Sequence, residues 1–514
     1  HKRLPMLSRQ VRRQLFQVKN GGIPAVVKKV SKLRAFLTRV DSALFGRARL
    51  QRKICKVAPA LKAIVANQVG ATSTEIVANQ EAAVIATQAR VLRDSLKMTE
   101  AVKLIDDTEK RYPKSVELMK TKAQIHFRMG DWSKFVETSV RASAVCDQIA
   151  VHQQLNSINV RFLGSDWTGP LGHVVQLSAM IKLEKLNLLS LEKRVLLYDP
   201  KFVANLSLLD LFGKDLTMVK ASRTEIDKFA SKFEAIVDDV PTFRMKTGAI
   251  DQWSATDIAN FEWKRSGNPT LLKLDDETAA KGYKILRRWG LTDKDWFVAI
   301  HVREGSHRDQ ARLPNAAIKT YLPMINEIVN RGGHVVRMGS PLMTPLPKMK
   351  NVIDYAHAVE RVDWMDVFLW AKAKFFVGTQ SGGSEAAMCF DTPTIRSNFS
   401  SYGHCFWSDK SFMVPKQYRI ANNSLPLNLR DALRSPIPHC ESTVHQDFEF
   451  EVIDNSETDL INAANEMFSR LESQDWTLTK RQDSAQAIRV SEGAVGRLPI
   501  SDSFLSSHGS FIES

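Results

Sequence analysis

The sequence predicts an α/β protein with two doubly wound parallel sheets, preceded by an all-helical extension. Three observations lead to this prediction. From about residue 155 short apolar strands alternate with helical runs, whereas residues 63–150 are rich in helix formers and show no strand pattern. In addition, a chain of 514 residues is too long for one hydrophobic core. Two such units in one chain create a cleft in which ligands commonly bind.

The first α/β unit has a Gly/Pro-rich loop directly after its first strand. Its elements are the strand Ile158–Leu163, the loop Gly164–Gly172, the helical run His173–Leu186 and the strand Arg194–Tyr198. Ligands of open α/β sheets bind at the carboxyl ends of strands. The loop lacks the G-x-G-x-x-G pattern, so a nicotinamide cofactor is not indicated. Residues 220–290 are predicted to be mostly helical and polar, with breaks at Pro241, Gly248 and Pro269.

The second unit alternates strands and helices more clearly. Its predicted strands are fully apolar or nearly so, as buried parallel strands tend to be: Trp296–Val302, His334–Met338, Val352–Tyr355, Lys374–Val377 and Pro393–Ile395. Its predicted helices cover 316–330 and 363–370, and a third begins at Ser384.

Polar side chains follow the first two of these strands. Arg303, in the run His301-Val-Arg-Glu304, is placed to hold a diphosphate through its planar donors, although a surface ion pair explains this residue better when it is considered alone. Arg337 and Gly339 end the next strand and form a second candidate contact to a phosphate or a sugar.

The loop 378–383 is the third candidate cluster. Thr379, Gln380 and Ser381 precede a helix N-terminus and offer hydroxyl and N–H groups to an anion, although small residues also serve close strand–helix packing. Glu385 lies in the first turn of that helix. It either complements the helix dipole or binds a ribose or acceptor hydroxyl.

Several site classes are not indicated by the sequence. The histidines are dispersed, no zinc spacing occurs, and Asp293-Lys-Asp295 precedes a strand and is interpreted as a turn, so we expect no metal site. Five scattered cysteines (Cys55, Cys146, Cys389, Cys405, Cys440) do not form a disulfide framework, which favours the reducing cytoplasm. We expect no membrane span, because no run of about 18 apolar residues occurs.

Residues 1–62 form a strongly basic arm. They hold 17 of the 72 lysines and arginines and one of the 56 acids, so the arm alone accounts for the net charge of +16. Apolar residues between Leu33 and Leu44 recur at helical spacing with cations among them. This pattern suits an anionic membrane surface, but also a helix packed on the protein; nucleic acid is disfavoured because few aromatic residues are present.

Residues 63–150 contain a weak internal repeat. The runs that start at Ala101 and Phe135 lie 34 residues apart, with a Met-Gly-Asp-Trp turn at 129–132 between them. This is the period of tetratricopeptide repeats, although an ordinary helical hairpin would look the same. We expect this region to contact a protein partner or the enzyme of which it is a part, and to take no part in chemistry.

The second unit resembles a family of bacterial glycosyltransferases with an H-V-R-[DE] motif, which is distantly similar to the fucosyltransferase superfamily. The resemblance is carried by 297–304, 321–339, 352–357, 363–369 and 375–379, and by the ending that starts at Gly496. It implies the GT-B fold, in which two Rossmann-like domains face a cleft. The chain departs from the family at Arg312-Leu-Pro-Asn315, where members often show an Arg-Asn pair.

The resemblance also implies roles for residues. Arg303 would pair with the diphosphate of the donor in place of a metal ion, and Thr379–Ser381 would contact the same phosphates. His301, Arg337, Gly339 and Glu385 complete the predicted nucleotide-sugar site. Gly169, Gly172 and His173 would lie on the acceptor side. The base that deprotonates the acceptor is sought among Glu304, His307 and Asp309, and Glu304 is the candidate we place in the catalytic set beside Arg303.

The sequence therefore predicts a metal-independent glycosyltransferase with no cofactor other than its sugar-nucleotide co-substrate, for which the analogy suggests a GDP-sugar such as GDP-fucose. The acceptor would be a glycan, a lipid-linked glycan or a protein, and the location the cytoplasm, peripheral at the inner membrane face. The alternative is a non-catalytic scaffold with an inactive glycosyltransferase-like module; a kinase is disfavoured because no phosphate-loop lysine motif occurs. The predicted regions are a basic arm 1–62, helices 63–150, an acceptor-side domain 155–290, a nucleotide-side domain 291–440 and a closing segment 441–514.

Overall fold

The computed structural model describes residues 73–95, 97–305, 313–420, 423–437 and 450–513. The basic arm 1–62 and two of the candidate bases, His307 and Asp309, lie outside these residues, so the expectations for them stay predictions. Within the described part, the prediction of an α/β protein with parallel sheets is confirmed. One sheet has four strands and the other six, and every strand pair in both is parallel.

Four helices joined by short turns precede the sheets. We call them the helical region (residues 73–152). They are α1 (Ser73–Asp94), α2 (Met98–Glu109), α3 (Val116–Arg128) and α4 (Trp132–His152). Two of them begin at capping residues, since Ser115 accepts from the N–H of Leu118 and Asp131 from that of Lys134. Between α3 and α4, Gly130 has a φ of 73°, which lets the chain turn sharply.

The four-stranded sheet is the core of the first α/β unit. Its strands are β1 (Val160–Leu163), β2 (Lys193–Tyr198), β3 (Thr217–Lys220) and β4 (Val237–Asp238), in the order β3-β2-β1-β4. The helices that connect them are α5 (Leu171–Lys185), α6 (Leu206–Leu211) and α7 (Arg223–Lys232). Because the order reverses between β1 and β4, the loops after these two strands diverge and leave a crevice.

The region 220–290 is less helical than the sequence predicted. It contains β4 and an antiparallel hairpin, β5 (Thr242–Met245) and β6 (Gly248–Asp251), before the helices α8 (Gln252–Arg265) and α9 (Asp276–Arg288). The signal for β4 was the apolar run 235–237 that ends at two aspartates. Two residues are too few for a periodic strand pattern, and tertiary pairing with β1 decides the outcome.

The six-stranded sheet is the core of the second unit. Its order is β12-β11-β10-β7-β8-β9, which is the doubly wound order with a reversal between the first and the fourth strand. The strands are β7 (Phe297–His301), β8 (His334–Arg337), β9 (Val352–Ile353), β10 (Phe376–Gly378), β11 (Thr394–Phe399) and β12 (Ser411–Pro415). The helices α10 (Leu322–Asn330), α11 (Asp363–Lys372) and α12 (Gly382–Cys389) connect them. The helix expected from residue 316 begins only at Leu322, and the one expected from Ser384 begins two residues earlier, at Gly382.

The C-terminal part covers the second sheet. It consists of the antiparallel pair β13 (Gln417–Ile420) and β14 (Phe450–Ile453), and of α13 (Leu429–Arg434), α14 (Glu457–Ser473), α15 (Lys480–Ser491) and α16 (Asp502–Ser507). Buried residues of α14, such as Leu460 and Phe468, join the same core as Val298 of β7. Arg497 forms an ion pair with Asp257 of α8, so this part also contacts the first unit.

The helical region packs against both α/β units, although the sequence suggested an extension apart from the catalytic unit. Trp132 stacks on His404 with ring centroids 4.6 Å apart, and it meets Trp253 of α8 at 5.0 Å. Asp147 of α4 also accepts from the buried Arg244 of the hairpin at 2.5 Å. His404 belongs to the second unit and Trp253 to the first, so this contact ties three parts of the chain together.

Candidate functional site

Two loops meet at the switch point of the six-stranded sheet. One follows β7 and starts at Val302, and the other follows β10 and starts at Thr379. β7 and β10 are neighbours, with His301 paired to Gly378. The chain leaves β7 and β10 toward opposite faces of the sheet, because the strand order reverses between these two strands. The crevice outside their carboxyl ends is the general place for a ligand in such a sheet.

Hydrogen bonds hold these two loops in register. The N–H of Thr379 donates to the carbonyl of His301 at 3.1 Å, and the N–H of Arg303 donates to the Thr379 hydroxyl oxygen at 3.0 Å. Gln380 binds Ser400 and Ser401 with both ends of its amide and so connects the loop to the one after β11. Thr379 is fully buried. The side chains of Thr379 and Gln380 are therefore used to shape the site, while Arg303 is half-buried at the strand end.

His301 is held in its neutral form. Burial lowers its pKa to about 4, and the positive charges of Arg337 and Arg303 act in the same direction. Its Nδ1 lies 3.1 Å from the hydroxyl oxygen of Ser381. At neutral pH His301 contributes no charge to the binding of an anion. It orients Ser381 at the start of α12 instead.

Arg337 and Glu304 bind each other below the surface of the site. Arg337 is fully buried, and its Nη atoms donate to Asp354 at 3.0 Å, to Glu304 at 3.3 Å and to the carbonyl of Thr344 at 3.0 Å. The same Glu304 oxygen also accepts from the N–H of Thr344 at 2.8 Å. Both residues thus brace the loop after β8.

Gly339 lies two residues after Arg337, in a conformation that favours glycine. Its φ is 147°, and a Cβ there would lie 2.4 Å from the sulfur of Met343. The same Cβ would lie 3.7 Å from the ring of His301, so Gly339 borders the site. A side chain at this position would crowd the crevice beside His301.

Glu385 lies where the two α/β units touch. Burial raises its pKa to about 7, against the opposing effect of Arg396, whose Nη2 donates to Glu385 at 3.1 Å. Its other carboxylate oxygen lies 3.5 Å from the position of a Cβ on Gly172. Glu385 therefore lies between Arg396 and the loop after β1, and it also lines a small pocket together with Gln176 and Lys182 of α5.

The backbone of the loop after β1 packs directly against the backbone of the loop after β10. A Cβ on Gly382 would lie 2.5 Å from the backbone N of Gly172 and 2.8 Å from the carbonyl carbon of Leu171. The sequence indicated a glycine-rich loop, but it did not single out Gly382 for this role. The contact brings the N-termini of α5 and α12 together, so that the residues predicted for acceptor and nucleotide lie next to each other.

His173 is oriented by a backbone carbonyl. Its Nδ1 lies 2.7 Å from the carbonyl oxygen of Asp166 in the loop after β1. The carbonyl can only accept, so Nδ1 carries the proton and Nε2 is a free acceptor in the neutral ring. Gly169 lies in the same loop, where an added Cβ would be in ordinary contact with the Ser165 carbonyl at 3.9 Å.

The part of the chain that the structure describes holds no group of three or more His, Cys, Asp or Glu side chains arranged for a metal ion. Likewise, none of its helices has the length and apolar character required to cross a bilayer.

No protein-family model matches the chain, and no curated protein does. Solved structures of glycosyltransferases match it over part of its length. The glycosyl transferase family 9 protein from Veillonella parvula matches 60% of this chain and 96% of its own, at 10% identity and a TM-score of 0.38. ADP-heptose LPS heptosyltransferase II of E. coli matches 61% and 98%, at 10% identity and a TM-score of 0.36.

A third match is the iron-containing dodecameric glycosyltransferase TibC from enterotoxigenic E. coli, over 61% of this chain and 76% of its own, at 12% identity and a TM-score of 0.34. These similarities are too low to assign an activity to this chain. None of the three is a fucosyltransferase, and the resemblance to that superfamily stays an expectation.

Proposed function

We propose that this chain is a glycosyltransferase of the GT-B type, which moves a sugar from a nucleoside-diphosphate donor to an acceptor hydroxyl. The observation that carries the proposal is the pair of loops at the switch point between β7 and β10, where the backbone N–H of Arg303 donates to Thr379 just before α12 and the charge of Arg303 acts on the nearby His301. A guanidinium next to the N–H groups of a helix start suits a diphosphate.

The chemistry needs a stabilised leaving group. When the bond between the sugar and the donor phosphate breaks, negative charge develops on the diphosphate, and preorganised donors lower the energy of that state. Arg303 and the N–H groups at the start of α12 supply this stabilisation, so we propose that the reaction needs no metal ion. A GDP-sugar such as GDP-fucose is the donor that the sequence resemblance favours.

We assign the deprotonation of the acceptor to His173 and not to Glu304. Support comes from the hydrogen bond between Nδ1 of His173 and the carbonyl of Asp166, which leaves Nε2 as the proton acceptor. Glu304, in contrast, is engaged by Arg337 and Thr344. His173 also follows Gly172, the residue that touches the nucleotide-side loop at Gly382.

A thermal-shift screen of GDP, UDP, ADP and CMP, with and without Mg²⁺, tests the donor site. The wild type should be stabilised by one nucleoside diphosphate whether or not Mg²⁺ is present, and Arg303→Ala should lose the shift. Arg265→Ala is the matched control, since Arg265 is an exposed arginine of α8. If the folded wild type shows no shift with any nucleotide, the donor site is refuted and the scaffold alternative gains weight.

A further inference from the structure

A groove of about 820 Å³ lies between the helical region and the four-stranded sheet. We call it the helical groove. One wall comes from α1, α3 and α4, with Arg90, Lys120 and Gln124 along it. The other wall comes from the loops after β1 and β4 and from α7, with Asp166 and Ser231 as examples. The helices therefore complete a binding space that the sheet alone would leave open.

The helical groove occupies the switch point of the four-stranded sheet. The loops that follow β1 and β4, the two strands between which the order reverses, both line it. His173 also lines the groove, and its neighbour Gly172 contacts Gly382 of the nucleotide-side loop. An elongated ligand that lies in the groove would therefore reach the place where the two α/β units meet.

The charges in the groove do not favour an anion. Each cation that lines it is bound to an acid: Lys120 to Asp239 at 2.6 Å, Arg90 to Glu117 at 2.6 Å, Arg223 to Asp227 at 3.1 Å and Arg244 to Asp238 at 2.7 Å. Two more carboxyls, those of Asp166 and Glu234, also line it, so acids exceed bases. A phosphorylated or polyanionic ligand would have to compete with these acids for the cations of the groove.

The same lining offers many hydrogen bonds to hydroxyl groups. Ser139 of α4 is 6% exposed and lines the groove, and its hydroxyl has no partner among the described residues. A buried polar group without a partner is costly, and a ligand hydroxyl would satisfy it. Paired carboxylates keep further lone pairs that accept from hydroxyl groups.

The groove lacks the features by which proteins usually bind peptides. A helical peptide needs an apolar groove, and an extended peptide needs a free sheet edge. Of the large apolar side chains in the lining, Phe135 and Trp167 are buried, and β4, the strand at this edge of the sheet, has only two residues. The volume exceeds what a single monosaccharide fills and lies at the upper end of the range for small-ligand pockets.

We propose that the helical groove binds the acceptor as a neutral, hydroxyl-rich oligosaccharide chain, whose reacting end lies at His173; this rests on the proposed function. The helical region is then part of the acceptor site. It holds the oligosaccharide along α1, α3 and α4, at sugar units that lie several positions away from the glycosidic bond that forms.

Binding of the fluorescently labelled full chain to arrays tests the proposal. The arrays carry neutral, anionic and amino oligosaccharides and short peptides, and no nucleotide is present. Two variants place a bulky side chain in the groove at exposed positions on opposite walls: Gln124→Trp on α3 and Ser231→Trp on α7. Lys103→Trp is the matched control, because Lys103 is exposed on α2 and does not line the groove.

The wild type, Lys103→Trp and Arg303→Ala should all bind neutral oligosaccharides, and both groove variants should bind them about 10-fold more weakly. Binding to peptides or to anionic glycans in preference, absence of binding to neutral glycans, or binding that both groove variants retain would overturn the proposal. Because the arrays contain no nucleotide, their outcome is independent of the thermal-shift screen that tests the donor site.

Discussion

Burial and two nearby guanidinium groups keep His301 neutral at physiological pH. Its pKa of about 4 in the folded chain lies below the ordinary value near 6.5, so the unfolded chain binds more protons between these pH values. Above pH 6.5 the ring is neutral in both states and adds nothing to the free energy of unfolding, which then falls as the pH is lowered to 4 because the unfolded chain takes up the proton. A difference of this size corresponds to about 3 kcal/mol at most.

The His301→Asn variant isolates this contribution. We expect the difference in unfolding free energy between wild type and variant to shift by about 3 kcal/mol, in favour of the variant, as the pH is lowered from 7 to 4. Urea unfolding at several pH values measures it, and other titrating groups cancel in the difference. A difference that does not depend on pH would show that His301 has an ordinary pKa.

Gly382 is required because two backbones touch there. We expect Gly382→Ala to cost about 1–3 kcal/mol of stability and to weaken nucleotide binding, since the new Cβ would overlap the backbone of Gly172. Gly169→Ala is the control, because its Cβ would meet only an ordinary contact. Thermal unfolding and nucleotide titration of both variants measure the effects. Equal behaviour of the two variants would contradict the close approach.

The sequence located some site residues and not their partners. Arg303 and Thr379 could be predicted because each directly follows an apolar strand. The partners of Arg337 and Glu385, which are Asp354 and Arg396, could not, because sheet order brings them together and not chain order. The sequence therefore offered Arg337 as a phosphate or sugar contact without indicating its bonds to Asp354 and to the carbonyl of Thr344.

At the scale of elements, the helical region is docked by an aromatic cluster. Trp132 contacts His404 and Trp253, which come from different α/β units. We expect Trp132→Ala to cost about 2 kcal/mol and to speed up hydrogen exchange in α3 and α4, because the docking contact is lost. Phe202→Ala, at a position that is 54% exposed, is the control. Unchanged exchange in α3 and α4 would show that Trp132 does not hold the helices.

Helices and long strands were easier to predict than short elements. Strands such as β7 and β2 carry four or more apolar residues in a row, which marks them in the sequence. The two residues of β4 and the hairpin β5–β6 carry no such pattern, so the sequence favoured helix there. The helices of residues 73–152 were recognised as helices, but nothing in their sequence indicated the surface on which they pack.

At the scale of the whole molecule, we propose that acceptor and donor lie on either side of the contact between Gly172 and Gly382. If His173 is the base, His173→Gln should reduce kcat by about 10²–10⁴-fold and should leave the thermal shift with nucleotide unchanged. A variant with full activity would assign the base to another residue.

The most direct test of the central claim is the release of nucleoside diphosphate from sugar nucleotides. The full chain is incubated in EDTA with GDP-, UDP- and ADP-sugars together with a mixture of neutral oligosaccharides, and the released nucleotide is measured by chromatography. We expect nucleoside diphosphate to be released from one of these donors. The release should be insensitive to EDTA and should be reduced at least about 100-fold in Arg303→Ala. Release from none of them by the folded wild type, or undiminished release by Arg303→Ala, would contradict the central claim.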